Sequence, residues 1–482
     1  MLLVKSTTPK KINGLHLKPT ALSSILVAFF FMFFCANTMA QDNSPYSRYG
    51  IGDLVPQTNM TSRGMGSISA GYVDPYGLSI NFNNPASYSS FQAFKEPKSK
   101  KLVSGRAILD MGLNFESRTL REPANPVKFV ASNALFSHVQ VGFPLRPNWG
   151  LSFGLRPVSR ISYKIGSGQR LVDPNTGQPI DSAYTENQGD GGSYLASVGT
   201  GFKVFSKKKG NTEIQSLSAG INAGYFFGKK DYTARRTLIN DSVAYYRGNF
   251  ETRTTFGSLY FNAGLQYRIV LNEAKRTVLT IGAQGNWGQT LDAKQDIIRE
   301  TYYIDPSFGN VRLDSVSVKS DIKGEIKYPF SFTIGFVYEK EHMPKEAGWL
   351  IGVDFIQQNW STYRFYGQPD LLANKWEIRI GTQLQPVSKK SYFTNVSYRA
   401  GLFYGPDYVY VNNKKLNQFG GSFGLGLPVP ISRQAPEQFT LINLAFEYIK
   451  RGNNDNLLRE NLFRFSLGFS LSDIWFKKRK YD

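Results

Sequence analysis

Three cations at a spacing of four, Arg156, Arg160 and Lys164, fall in a segment where apolar and polar residues alternate. In a β-strand, residues two or four positions apart project from the same face. The cations therefore form a stripe on one face of the predicted strand, beside Ser152 and Ser162. Because a guanidinium binds a carboxylate through two parallel hydrogen bonds, the stripe is a candidate ligand-binding site for a carboxylate. The alternative is pairing with the N-terminal part of the chain or with acids elsewhere in it: Asp110, Glu377 or Asp354.

Residue types for metal and nucleophilic chemistry are scarce in this chain. It has three His and one Cys, without a Cys-x-x-Cys pair or a His-Glu-x-x-His helix, so a zinc centre is excluded and no metal or cofactor is implied. Ser137 and His138 are adjacent, and a regular strand would point them to opposite faces. His342 falls in a predicted turn. We therefore expect that the chain is not an enzyme.

Residues 1–40 have the features of a secretory signal peptide. Four lysines precede a twelve-residue apolar run, Ile25 to Ala36, and Thr38-Met39-Ala40 provides small residues for cleavage. The run is shorter than the roughly 18 residues that a membrane helix needs. Cleavage after Ala40 would remove the single cysteine, Cys35.

Long segments of period-two alternation follow, which is typical of strands with one wet and one apolar face. We count fourteen of them, an even number that fits an outer-membrane β-barrel of a Gram-negative bacterium. The predicted strands are 102–116, 128–143, 149–164, 193–205, 215–233, 254–270, 276–290, 322–340, 347–366, 374–386, 391–406, 416–429, 438–451 and 460–476. The fold class is therefore all-β, a transmembrane antiparallel barrel over residues 101–476.

The connections and the charges indicate an orientation for the barrel. Residues 165–192 and 290–321 are predicted as long polar outer loops, whereas the basic residues concentrate in short turns and in a periplasmic tail, residues 477–482. The chain is basic overall, at +21, but its lysines are scattered over separate turns, so a nucleic-acid partner is not expected. Lipid phosphates of the outer membrane are the expected partners of these turns.

Residues 41–100 are Gly- and Asn-rich, alternate poorly and precede the first predicted strand. A barrel of fourteen strands has a lumen that can hold such a segment. We therefore expect this segment to be a hatch or plug in the lumen, or a periplasmic extension.

Short motifs along the chain resemble the outer-membrane long-chain fatty-acid transporter family, the FadL type. The N-terminal part contributes Gly64-Met65-Gly66, Asp74 and Asn84-Pro85-Ala86. The later motifs are Tyr328-Pro329-Phe330-Ser331, Gly335, Tyr338, Trp349, Asp354, Trp360-Ser361, Tyr398-Arg399-x-Gly401 and Tyr404. The resemblance implies a fourteen-stranded barrel with an N-terminal hatch that contains Gly64, Gly66 and Asn84-Pro85-Ala86.

The same resemblance implies passive transport of hydrophobic, fatty-acid-like molecules to a lateral opening at a kinked strand. Gly154 and Pro157 are the candidates for this kink, because proline lacks the ladder N–H, and the basic stripe would then receive an acyl carboxylate. The outer loop 165–192 has few apolar side chains to capture such a ligand. The alternative function is a non-transporting subunit or shuttle that binds envelope proteins in a secretion or outer-membrane assembly machine. A transporter predicts a continuous apolar tunnel, whereas a subunit predicts a sealed lumen.

Overall fold

The computed structural model describes residues 44–475, except 75–76, 96–101, 124, 126, 211, 241–244, 344 and 430–437. The predicted signal peptide, Cys35 and the basic tail lie outside these residues. Two short strands come first, β1 (Asp53–Leu54) and β2 (Ala93–Lys95). The longer strands and one two-residue strand follow: β3 (Leu102–Arg121), β4 (Lys128–Arg146), β5 (Trp149–Val172), β6 (Pro179–Lys209), β7 (Thr212–Ile239), β8 (Arg247–Asn272), β9 (Thr277–Asn286), β10 (Gln289–Asp305), β11 (Gly309–Tyr328), β12 (Ser331–Lys340), β13 (Gly348–Gln358), β14 (Arg364–Phe365), β15 (Lys375–Gln385), β16 (Ser397–Val411), β17 (Lys414–Pro428), β18 (Phe439–Arg451) and β19 (Arg459–Trp475).

The helices are short. In the described ranges, one α-helix, α1, spans Met60–Arg63, and 3-10 helices span Pro45–Arg48, Pro85–Ser90, Trp360–Thr362 and Tyr392–Asn395. None of the helices in the described residues has the length and hydropathy of a membrane-spanning helix.

The strands from β3 to β19 form one closed antiparallel barrel, because β19 pairs with β3 as well as with β18. Three barrel strands are interrupted. β9 and β10 are two parts of one strand, and both pair with β8. β11 and β12 are two parts of the next strand, in which β11 pairs with β10 and β12 pairs with β9. β13 and β14 are two parts of the third, and β14 pairs with β11. Counted with these interruptions, the barrel has the fourteen strands that the alternation predicted, and that prediction is confirmed.

The two faces of the barrel wall differ as the period-two pattern predicted. Apolar side chains such as Leu259 (62% exposed) and Phe463 (60%) cover the outside. The lumen side carries buried polar residues such as Asn114 and Gln140. A closed barrel with an apolar exterior satisfies its backbone hydrogen bonds within the membrane, and this protein is accordingly an outer-membrane β-barrel.

The prediction of long loops over residues 165–192 and 290–321 is wrong. β5 and β6 continue through the first region to a turn at 173–178, and β10 and β11 continue through the second to a turn at 306–308. β6 has 31 residues and β7 has 28, whereas about 9–11 residues cross a membrane. The strands therefore project beyond the membrane as a sheet on one side of the barrel. Both faces of this sheet contact water, so the alternation that marks a membrane strand is lost there.

Candidate functional site

Residues 44–74 and 77–92, here called the N-terminal segment, lie inside the barrel and pack against its wall. Glycines allow the backbone of the N-terminal segment to contact the backbone of the barrel strands. A Cβ atom on Gly401 of β16 would lie 2.0 Å from the backbone N of Gly66, and one on Gly282 of β9 would lie 1.8 Å from the carbonyl O of Ala70. The segment is therefore seated directly on the strands.

The motif residues of the N-terminal segment lie in this contact zone. Asn84 Oδ1 accepts a hydrogen bond from the N–H of Ala86 (3.2 Å), and its Nδ2 donates to the carbonyl O of Ala70 (2.7 Å). Asn84 thus caps the 3-10 helix that begins at Pro85. On the barrel, a Cβ atom on Gly220 would lie 2.4 Å from the carbonyl C of Pro85.

Two further motif positions hold the middle of the N-terminal segment. A Cβ atom on Gly64 would lie 2.9 Å from Cα of Gly424 in β17. The carboxylate of Asp354 in β13 accepts hydrogen bonds from the N–H groups of Ser69 (2.6 Å) and Ala70 (3.0 Å). Motifs that are far apart in the sequence therefore meet where the segment contacts the wall.

A buried network of charges ties the start of the N-terminal segment to four strands, β3, β16, β18 and β19. Arg118 of β3 pairs with Asp53 (2.5 Å) and with Glu460 of β19 (2.6 Å). Arg451 of β18 pairs with the same two acids, at 3.1 and 3.3 Å, and with Asp407. Each arginine side chain is 5% exposed. Because breaking a buried pair leaves an uncompensated charge, the network strongly favours one position of the segment.

Sequence reasoning missed this network. Its members on the barrel wall are buried charged residues of β3, β16, β18 and β19. A neighbouring triad joins Arg464 to Glu116 (2.6 Å) and Glu447 (3.3 Å). Charged residues within these four strands were a visible signal. Their pairing depends on strand order around the closed barrel, which brings the first and last strands together.

A lateral gap separates β4 from β5 toward the outer end of the barrel. The two strands pair only from Val139–Leu155 to Arg146–Trp149. Beyond Leu155, β5 pairs instead with β1 of the N-terminal segment, where Leu54 faces Ser159, and the N–H of Val55 donates to the carbonyl O of Val158 (3.0 Å). The N-terminal segment thus pairs with part of the β5 edge that is not paired with β4.

The predicted kink residues lie at this gap. A Cβ atom on Gly154 would lie 2.1 Å from the carbonyl O of Val139, so the two strands are in close contact just below the point where they separate. Pro157 faces Tyr194 of β6, and the β5–β6 register shifts between Pro157 and Ser159.

The three cations of the basic stripe do not converge on one point. Arg156 Nε donates to Gln57 Oε1 (3.0 Å), and its guanidinium lies 4.9 Å from the centre of the Phe82 ring. Arg160 Nη2 donates to Asn133 Oδ1 (3.2 Å), across the gap to β4. Lys164 pairs with Glu186 (3.0 Å) and is half exposed.

Arg156 is the member of the stripe that lines a cavity in the lumen. The cavity has a volume of about 210 Å³, and the charged network and the aromatic side chains Tyr260 and Tyr328 also line it. Within the described part of the chain, Nη1 of Arg156 is buried and has no hydrogen-bond partner. This nitrogen is available to donate a hydrogen bond to a ligand carboxylate.

The outer half of the lumen is filled by the protein's own apolar side chains. Ile51 of the N-terminal segment packs with Phe226, Trp360, Tyr363 and Tyr408, all of them buried. The Trp360 and Tyr408 rings are 4.6 Å apart. These side chains occupy the position where an apolar tunnel would run.

The prediction that Ser137 and His138 point to opposite faces is wrong. The β3–β4 register shifts between Gly112 and Leu113, which makes Ser137 the extra residue of a β-bulge, and both side chains are buried. Ser137 Oγ lies 3.2 Å from His138 Nδ1, and His138 Nε2 lies 3.5 Å from Asp110 Oδ1. Arg63 of the N-terminal segment donates to Ser137 (2.8 Å). The group resembles a catalytic triad in composition but is enclosed beneath the segment, so we interpret it as a structural contact.

Comparisons with known proteins agree with this fold. The family model described as BamG matches residues 22–482. A FadL homologue from Pseudomonas aeruginosa is 14% identical, with a TM-score of 0.50, over 89% of this chain and 100% of that chain. The toluene transporter TodX from P. putida is 13% identical, with a TM-score of 0.44, over 87% of this chain and 99% of that chain. No curated protein matches the chain. The resemblance to the FadL type is confirmed at the level of the fold.

Proposed function

The chain belongs to the BamG family, and we propose that it is a non-transporting barrel subunit that binds other envelope proteins in a secretion or outer-membrane assembly machine. In this proposal the N-terminal segment is a permanent plug. The barrel serves as a rigid membrane-embedded body, and its outer sheet and periplasmic turns present surfaces for partners.

The observation that carries the proposal is the filled lumen. The ion pairs of Asp53 with Arg118 and Arg451 link the N-terminal segment to two strands, and Trp360 and Tyr408 pack against it in the outer half. The lumen cavity beside it is about 210 Å³ and is lined by the charged network together with aromatic side chains such as Tyr260 and Tyr328. Entry of an apolar molecule into this site is unfavourable, because the polar and charged groups that line it would lose contact with water.

The test is purification of the tagged protein from its native outer membrane in mild detergent, followed by mass spectrometry of bound lipids and proteins. We expect an envelope protein at a stoichiometric ratio and no stoichiometric hydrophobic ligand. A tagged unrelated outer-membrane barrel, purified in parallel, identifies proteins that bind barrels in general. Recovery of a stoichiometric fatty acid without any protein would contradict the proposal.

A second candidate function is passive transport of fatty-acid-like molecules. The observations that favour it are the lateral gap between β4 and β5 and Nη1 of Arg156, which has no hydrogen-bond partner among the residues that the structure describes. In this alternative, the N-terminal segment moves away from β5, an acyl carboxylate binds Arg156, and the acyl chain leaves sideways into the membrane.

This candidate is tested by uptake of a labelled fatty acid into cells that express the Arg156→Ala, Arg160→Ala double variant. Transport predicts a large loss of uptake, because the buried Arg156 and the partly buried Arg160 at the gap are both removed. Lys164→Ala is the matched control, since Lys164 is in the same stripe but is half exposed and paired with Glu186. Unchanged uptake in the double variant would show that the stripe does not bind the acyl carboxylate.

A further inference from the structure

A second cavity opens at the periplasmic end of the barrel, away from the lumen cavity and the lateral gap. It has a volume of about 470 Å³ and lies between Tyr72, Asp74 and Leu78 of the N-terminal segment and the periplasmic ends of β15, β16, β17 and β18. Tyr72, Val396 and Leu441 form an apolar part of its wall, and each is at most 9% exposed. The cavity can therefore hold an aromatic or aliphatic group.

Arg399 of β16 is the buried cation of this cavity. It is 4% exposed, its Nε donates to Gln383 Oε1 (2.7 Å), and its Nη1 donates to Asn443 Oδ1 (2.9 Å). Both acceptors are neutral amides. Within the part of the chain that the structure describes, no carboxylate lies within ion-pair distance of Arg399.

One acid also lines the cavity. Asp74 Oδ2 accepts hydrogen bonds from the N–H groups of Leu78 (3.0 Å) and Ser79 (2.7 Å) and from the hydroxyl of Ser79 (2.9 Å). These bonds hold the Asp74 carboxylate on its own turn, outside ion-pair distance of Arg399, although its charge still acts on that arginine. Arg118, Arg451 and Arg464 each pair with two or more acids. Among the buried arginines of the described strands, Arg399 and Arg156 are not in such pairs.

We propose that this cavity binds a carboxylate attached to an apolar group, with the carboxylate at Arg399 and the apolar group against Tyr72, Val396 and Leu441. A buried guanidinium is costly without an anionic partner, and a carboxylate is the anion whose geometry it matches best. The chemistry is shared by two sources, a small amphiphile and the C-terminal residue of a peptide. The inference deepens the proposed subunit function, on which it rests, because the cavity faces the compartment from which envelope proteins approach.

The test uses the full chain in lipid nanodiscs and two water-soluble probes. The first is N-acetyl-Ala-Ala-Phe with a free C-terminal carboxylate, and the second is the same peptide as its C-terminal amide. We expect the free acid to bind at least tenfold more tightly than the amide in equilibrium dialysis. Decanoate, added as a competitor, distinguishes the sources: competition shows that a small amphiphile also fits, and its absence restricts the site to peptides.

Variants place the binding at the cavity. Arg399→Gln should weaken binding of the free acid about ten- to a hundredfold, the range expected for loss of a hydrogen bond to a charged group. Leu441→Trp keeps the cation but fills the cavity, so it should also abolish binding. This variant tests the cavity independently if Arg399→Gln does not fold. Arg276→Gln is the control, because Arg276 lies in a periplasmic turn and its side chain is 54% exposed.

Two results would overturn the inference: equal binding of acid and amide, or no binding of either peptide or of decanoate. The subunit proposal is judged separately by co-purification of an envelope protein with the wild-type chain. Co-purification without binding of the probes would reject this cavity as a carboxylate site and leave the subunit proposal standing.

Discussion

The carboxylate of Asp53 in the N-terminal segment forms a buried ion pair with the guanidinium of Arg118 in β3, with 2.5 Å between Oδ2 and Nη2. Asp53 belongs to the segment inside the lumen, and Arg118 belongs to the first barrel strand. The pair therefore links the position of the segment to the stability of the barrel.

Asp53→Asn should lower the free energy of unfolding by about 2 kcal/mol, because Arg118 and Arg451 lose a charged hydrogen-bond partner. Glu460 still faces both arginines, which limits the loss. The measurement is urea-induced unfolding, followed by the gel mobility of the folded barrel. Asp190→Asn is the control, since it breaks an ion pair with Lys229 whose side chains are more than half exposed, and such pairs contribute under about 1 kcal/mol. An equal effect of the two substitutions would contradict a special role for the buried pair.

Gly401→Ala should displace the N-terminal segment from the wall. The added Cβ would lie 2.0 Å from the backbone N of Gly66, and neither backbone can move without breaking hydrogen bonds of the segment or the sheet. Limited proteolysis should cut the segment faster in this variant than in the wild type. Gly168→Ala should behave like the wild type, because a Cβ there meets no atom within 4 Å. Identical proteolysis of all three proteins would show that the contact at Gly66 is not tight.

Val55→Pro should open the lateral gap further. It removes the N–H that donates to the carbonyl O of Val158 (3.0 Å) and so weakens the addition of β1 to the edge of β5. Backbone amides of residues 156–162 should exchange hydrogen faster, as measured by mass spectrometry. Val55→Ala keeps the N–H and should leave exchange close to that of the wild type. No difference between these variants would mean that β1 does not protect β5.

An epitope inserted between Asn454 and Asp455, in the exposed connection between β18 and β19, should be accessible to antibody from outside intact cells. The hydroxyl of Tyr46 donates to the carbonyl O of Leu458, in the connection between β18 and β19, and Ser44 donates to Glu460 at the start of β19. That end of the barrel is opposite the short β4–β5 turn and is extracellular by the rule for outer-membrane barrels. Labelling only after permeabilisation would contradict this placement.

The membrane part of the fold was predictable from the sequence because lipid on one side and a polar lumen on the other impose period-two alternation. Leu259 and Phe463 on the outside follow that pattern. The pattern ends where both faces of the sheet meet water, and so β5 and β6 were predicted to end too early, at a loop over 165–192. A bulge at Ser137 reversed the parity locally, and the alternation contains no signal for such an insertion.

The candidate site was predictable only in part. The cationic stripe identified Arg156 beside the lumen cavity, but it also included Lys164, which is paired at the surface. The network around Arg118 was not predicted, because its partners Asp53 and Glu460 are separated from it by 65 and 342 positions and meet only when the barrel closes. Local patterns determine which side chains face the lumen, whereas their pairing depends on the tertiary structure.

The most direct test of the sealed lumen is the ion conductance of the purified wild-type protein in planar lipid bilayers. The structure predicts no conductance above that of the lipid alone, because the N-terminal segment, its charge network and the cluster around Trp360 fill the lumen. A variant with Asp53→Asn and Gly401→Ala combined should show intermittent opening. Stable open-channel steps in the wild-type protein would contradict the account of a plugged barrel subunit.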